Sequence, residues 1–183
     1  NRQREAYTAL LLEHSSTLEI HNPDFENLNH AVRIFSFSVV LIQVNLSSGI
    51  ASGSGFAIGS NYIATNRHVV INETTNNCVA PEDIYIITTE GNLRVKSIHL
   101  PSWGADDVAI LQIEPEFTTS LKPLRLGFSE LVEVGERIMT IGFPAPESGE
   151  FTENLYCNKG LVNRIRFSQL CSERVLEVSI PLQ

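Results

Sequence analysis

Residues 53–70 read Gly-Ser-Gly-Phe-Ala-Ile-Gly-Ser-Asn-Tyr-Ile-Ala-Thr-Asn-Arg-His-Val-Val. Two strand-like runs, Gly53–Ile58 and Tyr62–Thr65, flank Gly59-Ser60-Asn61, a composition that turns a chain. The stretch is expected to form a hairpin that delivers His68 directly after its second strand, on a short exposed segment. Gly53-x-Gly55-x-x-x-Gly59 approaches a dinucleotide fingerprint. It has one residue too many, however, and leads into a strand where a pyrophosphate site needs the N-terminus of a helix.

The hairpin texture extends in both directions. From Ser36 onward, short β-branched and apolar runs alternate with Gly, Asn, Pro and Ser, the pattern of an all-β sandwich or barrel. The expected strands are Ser38–Asn45, Gly53–Ile58, Tyr62–Thr65, Ile84–Thr89, Leu93–His99, Val108–Ile113, Arg137–Ile141, Leu161–Arg166 and Val175–Ile180. A loop from about Glu114 to Leu126, holding Pro115 and Pro123, separates the earlier strands from the later ones and suggests two joined β units. Ahead of this body, Gln3–Glu13 is rich in helix formers, and Pro23 to about Val32 reads as a second helix that Asn22 can cap.

Composition excludes several classes of function. At 183 residues, with 43% apolar and 19% charged residues, the chain is long and apolar enough to build a sizeable core. A net charge of -8 and scattered cations, two residues apart at Arg2/Arg4, Arg94/Lys96 and Arg164/Arg166 but nowhere in a larger cluster, argue against nucleic-acid binding, which relies on clustered positive charge. The longest apolar stretch, Ile34–Val44, is interrupted by Ser36, Ser38 and Gln43 and is too short for a membrane span. The first residues, Asn-Arg-Gln-Arg-Glu, do not have the pattern of a charged-then-apolar leader, so location is expected to be open between cytoplasmic and periplasmic or secreted. Cys78, Cys157 and Cys171 lack metal-cluster spacing and are expected to be free thiols, with a Cys157–Cys171 bridge across a hairpin as the alternative. Neither His14, His21, His30 nor His99 lies in a ligand pattern, so no metal is expected.

One constellation carries chemistry. Ala105-Asp106-Asp107-Val108-Ala109-Ile110-Leu111 places an acid at the mouth of an apolar strand, where it is expected to be buried against the His68 imidazole. A carboxylate on one ring nitrogen fixes the tautomer and stabilises the imidazolium, leaving the other nitrogen to deprotonate a nucleophile.

Gly-Ser-Gly-Phe, Thr-Asn-Arg-His-Val-Val and Asp-Val-Ala-Ile-Leu, in that order, resemble the trypsin-like peptidases of the HtrA (DegP) type. Ser38–Ile42, Val134-Gly135-Glu136 through Ile141-Gly142-Phe143-Pro144, and Gly160-Leu161-Val162 resemble further strands of that family, so the likeness runs from about Ser38 to Gln183. The resemblance implies an all-β, chymotrypsin-like fold of two antiparallel β-barrels, the second incomplete in this chain, with a peptidase domain over 38–183 divided at about 38–120 and 128–183. The one or two short helices expected from composition precede it as an N-terminal helical extension over 1–37, which the resemblance does not cover. The resemblance also implies that His68 is the general base and Asp107 its orienting acid, with Asp106 a solvent-exposed neighbour.

The family's nucleophilic Ser sits in a Gly-x-Ser-Gly-Gly turn after a strand resembling Val175–Ile180. Ser54, Ser168, Ser172 and Ser179 do not match that turn: Ser179 is expected within the strand and Ser168 and Ser172 in the loop before it. The expectation is therefore a serine endopeptidase acting on proteins or peptides without a cofactor, its Ser lying beyond Gln183 and the second barrel closed by further residues or a second chain. The 183 residues by themselves are expected to be inactive. Two alternatives stay open: an inactive protease-like binding or regulatory module, and a chymotrypsin-like cysteine protease.

Overall fold

A computed structural model describes residues 27–72, 74–101, 106–114, 121–143, 155–168 and 173–180. Helix α1 (Leu28–Phe35) leads into β1 (Val39–Leu46), β2 (Gly49–Gly59) and β3 (Tyr62–Thr65). The short bridge strands β4 (Ile71–Asn72) and β5 (Asn77–Cys78) follow, then β6 (Ile84–Thr88), β7 (Gly91–His99) and β8 (Ala109–Ile113). β9 (Arg137–Gly142), β10 (Tyr156–Ser168) and β11 (Glu173–Ser179) complete the order.

The first unit is a closed, antiparallel six-stranded barrel in the order β1-β2-β3-β8-β7-β6. Its interior follows from strand alternation, which sends every second side chain inward. Val40, Ile42 and Val44 of β1 meet Ala57, Ile63, Ile86, Leu111 and Ile113, all fully buried. β1 is enclosed on its other face too, with Val39 and Leu41 buried against a cleft that Phe143 and Leu155 of the second unit help to line. That double burial explains why β1 is a continuous apolar run and not an alternating one.

The second unit is an antiparallel sheet in the order β11-β10-β9. β10 serves both neighbours in turn: Tyr156–Leu161 pair with β9 and Leu161–Ser168 with β11, with a register shift between Val162 and Arg164. The chain between the units returns across the barrel. There the Lys122 and Leu124 amides donate to the carbonyls of Phe37 and Ala57, and Leu121 is buried.

Each expected strand is present, but several boundaries differ. β2 begins at Gly49, because Ile50, Ala51 and Ser52 pair with Asn45, Val44 and Gln43 despite their turn-like composition. β10 begins at Tyr156, five residues earlier than expected, because Asn158-Lys159-Gly160 dilutes the apolar signal while pairing with β9. Ser168, expected in a loop, is paired with Glu173 at the end of β10. Of the helix expected over Pro23–Val32, the described residues show Leu28–Phe35, a helix that runs past Val32 and is capped by Asn27, whose side-chain oxygen accepts from the His30 amide. The helix expected over Gln3–Glu13 and the residues Asn22–Glu26 lie outside the described residues, as do His14, His21, Cys171 and Ser172. No described helix is long and apolar enough to cross a membrane.

Candidate active site

The hairpin of β2 and β3 turns at Ser60-Asn61 and pairs Gly55 with Thr65. Thr65, at the end of β3, donates its hydroxyl to the Ser54 carbonyl at 2.8 Å and so ties the strand end to β2. The chain then enters a 3-10 turn, Arg67–Val70, whose apolar residues Val69 and Val70 are buried. Anchored by these two valines, the turn leaves His68 facing outward. Gly53 makes this possible: a Cβ there would stand 2.5 Å from Val69 Cγ2, so only glycine lets the turn settle against β2.

Asp107 precedes β8, whose Ala109 pairs with Thr65. Neighbouring strands of one barrel therefore bring together two sequence-distant residues. The Asp107 Oδ2–His68 Nδ1 separation is 2.6 Å, and Oδ1 accepts the His68 backbone amide at 2.8 Å. Asn66 donates its side-chain amide to Oδ2 and to the Asp107 carbonyl oxygen, both at 3.1 Å.

Partial burial pushes the Asp107 carboxyl up. The hydrogen bonds from the His68 amide and ring, the charge of His68 and the hydrogen bond from Asn66 outweigh it, and the group is held below its ordinary range. An ionised Asp107 can only accept, so the bridging proton belongs to Nδ1 and Nε2 keeps the lone pair needed for base chemistry.

Two expectations need correction. The pair is not buried, since the side chains of His68 and Asp107 are 66% and 51% exposed. Asp107 sits on the barrel rim ahead of β8, where its carboxylate meets the Asn66–His68 segment while its remaining surface meets solvent. Asp106, expected to be solvent-exposed, is the more enclosed of the two acids. Behind the Asp107 carboxylate, a cavity of about 310 Å³ opens between barrel and sheet, lined by Ser54, Phe56, Thr65, Asn66, Leu124 and Ile141 among others.

Two residues near the pair have roles that their sequence context does not announce. Ser54 spans the units: its Oγ accepts the Phe143 amide at 2.7 Å and donates to the Phe143 carbonyl at 3.2 Å. A serine between two glycines signals close backbone approach but not the partner. Asn66, one residue after β3, serves Asp107 with its side chain. Ser179 Oγ donates to Asn163 Oδ1 at 3.2 Å, in keeping with a strand residue. Cys157 is a free thiol that burial pushes up in pKa against the charge of Lys159, and Cys78 is a free, exposed thiol. His99 pairs with Ser97 on β7 at 3.1 Å, away from His68.

The family model of the trypsin-like peptidase domain matches residues 53–182. Do-like 13 of Arabidopsis thaliana, described as a protease, is 31% identical over 144 residues, covering 75% of this chain and 26% of that protein. A DegP-like protein of Pseudomonas putida, described as a periplasmic serine endoprotease, is 34% identical over 112 residues, covering 59% of this chain and 20% of that protein. A protease from M. tuberculosis, solved in its active form, superposes with a TM-score of 0.57 at 19% identity, covering 91% of this chain and 68% of that one. The chain thus spans about a quarter or less of the length of these two curated relatives.

Proposed function

The chain belongs to the trypsin-like peptidase family, with Do-like and DegP-like proteins among its relatives, and from that premise we propose that the protein is an HtrA-type serine endopeptidase. His68 is its general base and Asp107 the acid that orients it. The observation that carries this reading is the 2.6 Å contact between Asp107 Oδ2 and His68 Nδ1, reinforced by the His68 amide on Oδ1.

Held at Nδ1, the imidazole presents Nε2 to a serine hydroxyl. It takes the proton as the oxygen attacks a peptide carbonyl and returns it to the leaving amine. Asp107 stays ionised and stabilises the imidazolium formed between the two transfers. We place the nucleophile beyond Gln183, in the turn that follows β11. The substrates are proteins or peptides, and the chemistry as assigned calls on no cofactor.

The division into residues 1–37, ahead of the peptidase domain, and 38–183 within it belongs to the same reading. So does a second barrel built on the β9–β11 sheet and completed by further strands of this protein or of another chain. Phe128, Leu131, Val134, Leu161 and Val178 are 43% to 74% exposed on this unit, apolar surface that closing strands would cover.

A fluorophosphonate probe applied to the full-length protein tests the serine assignment. Covalent labelling that disappears in the His68→Ala variant is expected. Absence of labelling from a protein that cleaves peptides and is blocked by thiol alkylation would assign a cysteine nucleophile instead. An unlabelled protein with no cleavage would make it a binding module.

A further inference from the structure

We propose that Asn66 is a positioning residue for the base–acid pair, clamping the side chain and the main chain of Asp107 with the two hydrogens of one amide group. The proposal rests on the assignment of His68 and Asp107 as base and acid.

Asn66 occupies the residue before the 3-10 turn Arg67–Val70, with an extended backbone at φ -75° and ψ 144°. An asparagine there ordinarily turns its side-chain oxygen onto the free amides of the first turn. This one makes no such cap. Only its backbone carbonyl serves the turn, accepting the Val69 amide at 3.2 Å. The side chain instead reaches Asp107 Oδ2 and the Asp107 carbonyl oxygen, each at 3.1 Å. Both partners can only accept, which fixes the orientation of the amide: its NH2 group faces Asp107.

Tying the Asp107 side chain to its own main chain has a chemical consequence. A carboxylate on a solvent-facing rim is free to rotate about its side-chain bonds, and rotation would take Oδ2 away from Nδ1. Bonds to the main-chain carbonyl and to Oδ2 from one planar group restrict that rotation. Among the described residues, His68 supplies its amide and ring N–H to the carboxylate and Asn66 supplies a donor that does not belong to the base. Asn66 thereby helps to hold Asp107 ionised independently of the protonation of His68. The titratable groups beside the carboxylate are His68, in contact with it, and the adjacent Asp106.

The test is the titration of the Asp107 carboxyl, followed by its side-chain 13C resonance in the full-length protein and in its Asn66→Ala and Asn66→Asp variants. Asn66 is exposed, so neither change opens the core. The Asp107 midpoint is expected to rise in Asn66→Ala, and to rise further in Asn66→Asp, where an isosteric acceptor replaces the donor and adds like charge. Where the full-length protein cleaves peptides, Asn66→Ala is expected to lower kcat by roughly 10- to 100-fold with KM little changed, the cost of a misaligned base. An Asp107 midpoint unmoved in both variants overturns the clamp. That result leaves the base–acid assignment standing, because the assignment is judged separately by cleavage in His68→Ala.

Discussion

Asp107 carries its charge at the rim of a barrel with half of its side chain in water, yet hydrogen bonds and the facing imidazole depress its pKa. Because the folded value lies below the ordinary carboxylate value of about 3.9, these interactions are complete above that pH and vanish as pH falls through the depressed value. Acid unfolding of the wild type should include this loss, whereas Asp107→Asn should lack it. Parallel acid titrations by circular dichroism would show the two curves differing in slope only at the acid end. In catalysis the same substitution should be severe. An amide at this position favours the wrong imidazole tautomer, and kcat for peptide cleavage by the full-length protein is expected to fall by roughly 10⁴-fold. A loss smaller than tenfold would remove Asp107 from the mechanism.

Strands β2, β3 and β8 set the site, and the turn Arg67–Val70 aims it. The His and Asp motifs were legible because each sets polar residues against one end of a short apolar run, after it for His68 and before it for Asp107, and such runs fix local structure with little help from elsewhere. Where pairing alone makes the strand, as at Ile50–Ser52 and Asn158–Gly160, the sequence reads as turn or loop. The exposure of Asp107 relative to Asp106 was also beyond reach, because it depends on which acid meets Asn66 in the segment after β3. Gly160 shows how tightly the second sheet is built: a Cβ at that position would press into the Ser179 carbonyl of β11. Gly160→Ala should therefore destabilise the protein by about 1–3 kcal/mol, as overpacking does, measured by urea unfolding. Unchanged stability would mean that β10 and β11 part more easily than their register implies.

Across the whole molecule, the proposed mechanism requires the barrel that carries His68 and Asp107 to keep a fixed relation to the unit assigned to present the nucleophile. Ser54 is a direct link between them, with both of its hydrogen-bonding roles used on Phe143 at the end of β9. Ser54→Ala strands the Phe143 amide and should cost about 1–3 kcal/mol in thermal or urea unfolding, with a kcat loss that exceeds any change in KM. The fold class was readable from strand spacing, but this link was not, because it joins residues far apart in the sequence. The central claim is that His68 is the base of a serine endopeptidase. Its most direct test is the rate at which the full-length protein cleaves a denatured polypeptide, compared with His68→Ala. The account predicts a loss of at least about 10⁴-fold in kcat with the protein still folded, and cleavage retained within tenfold would contradict it.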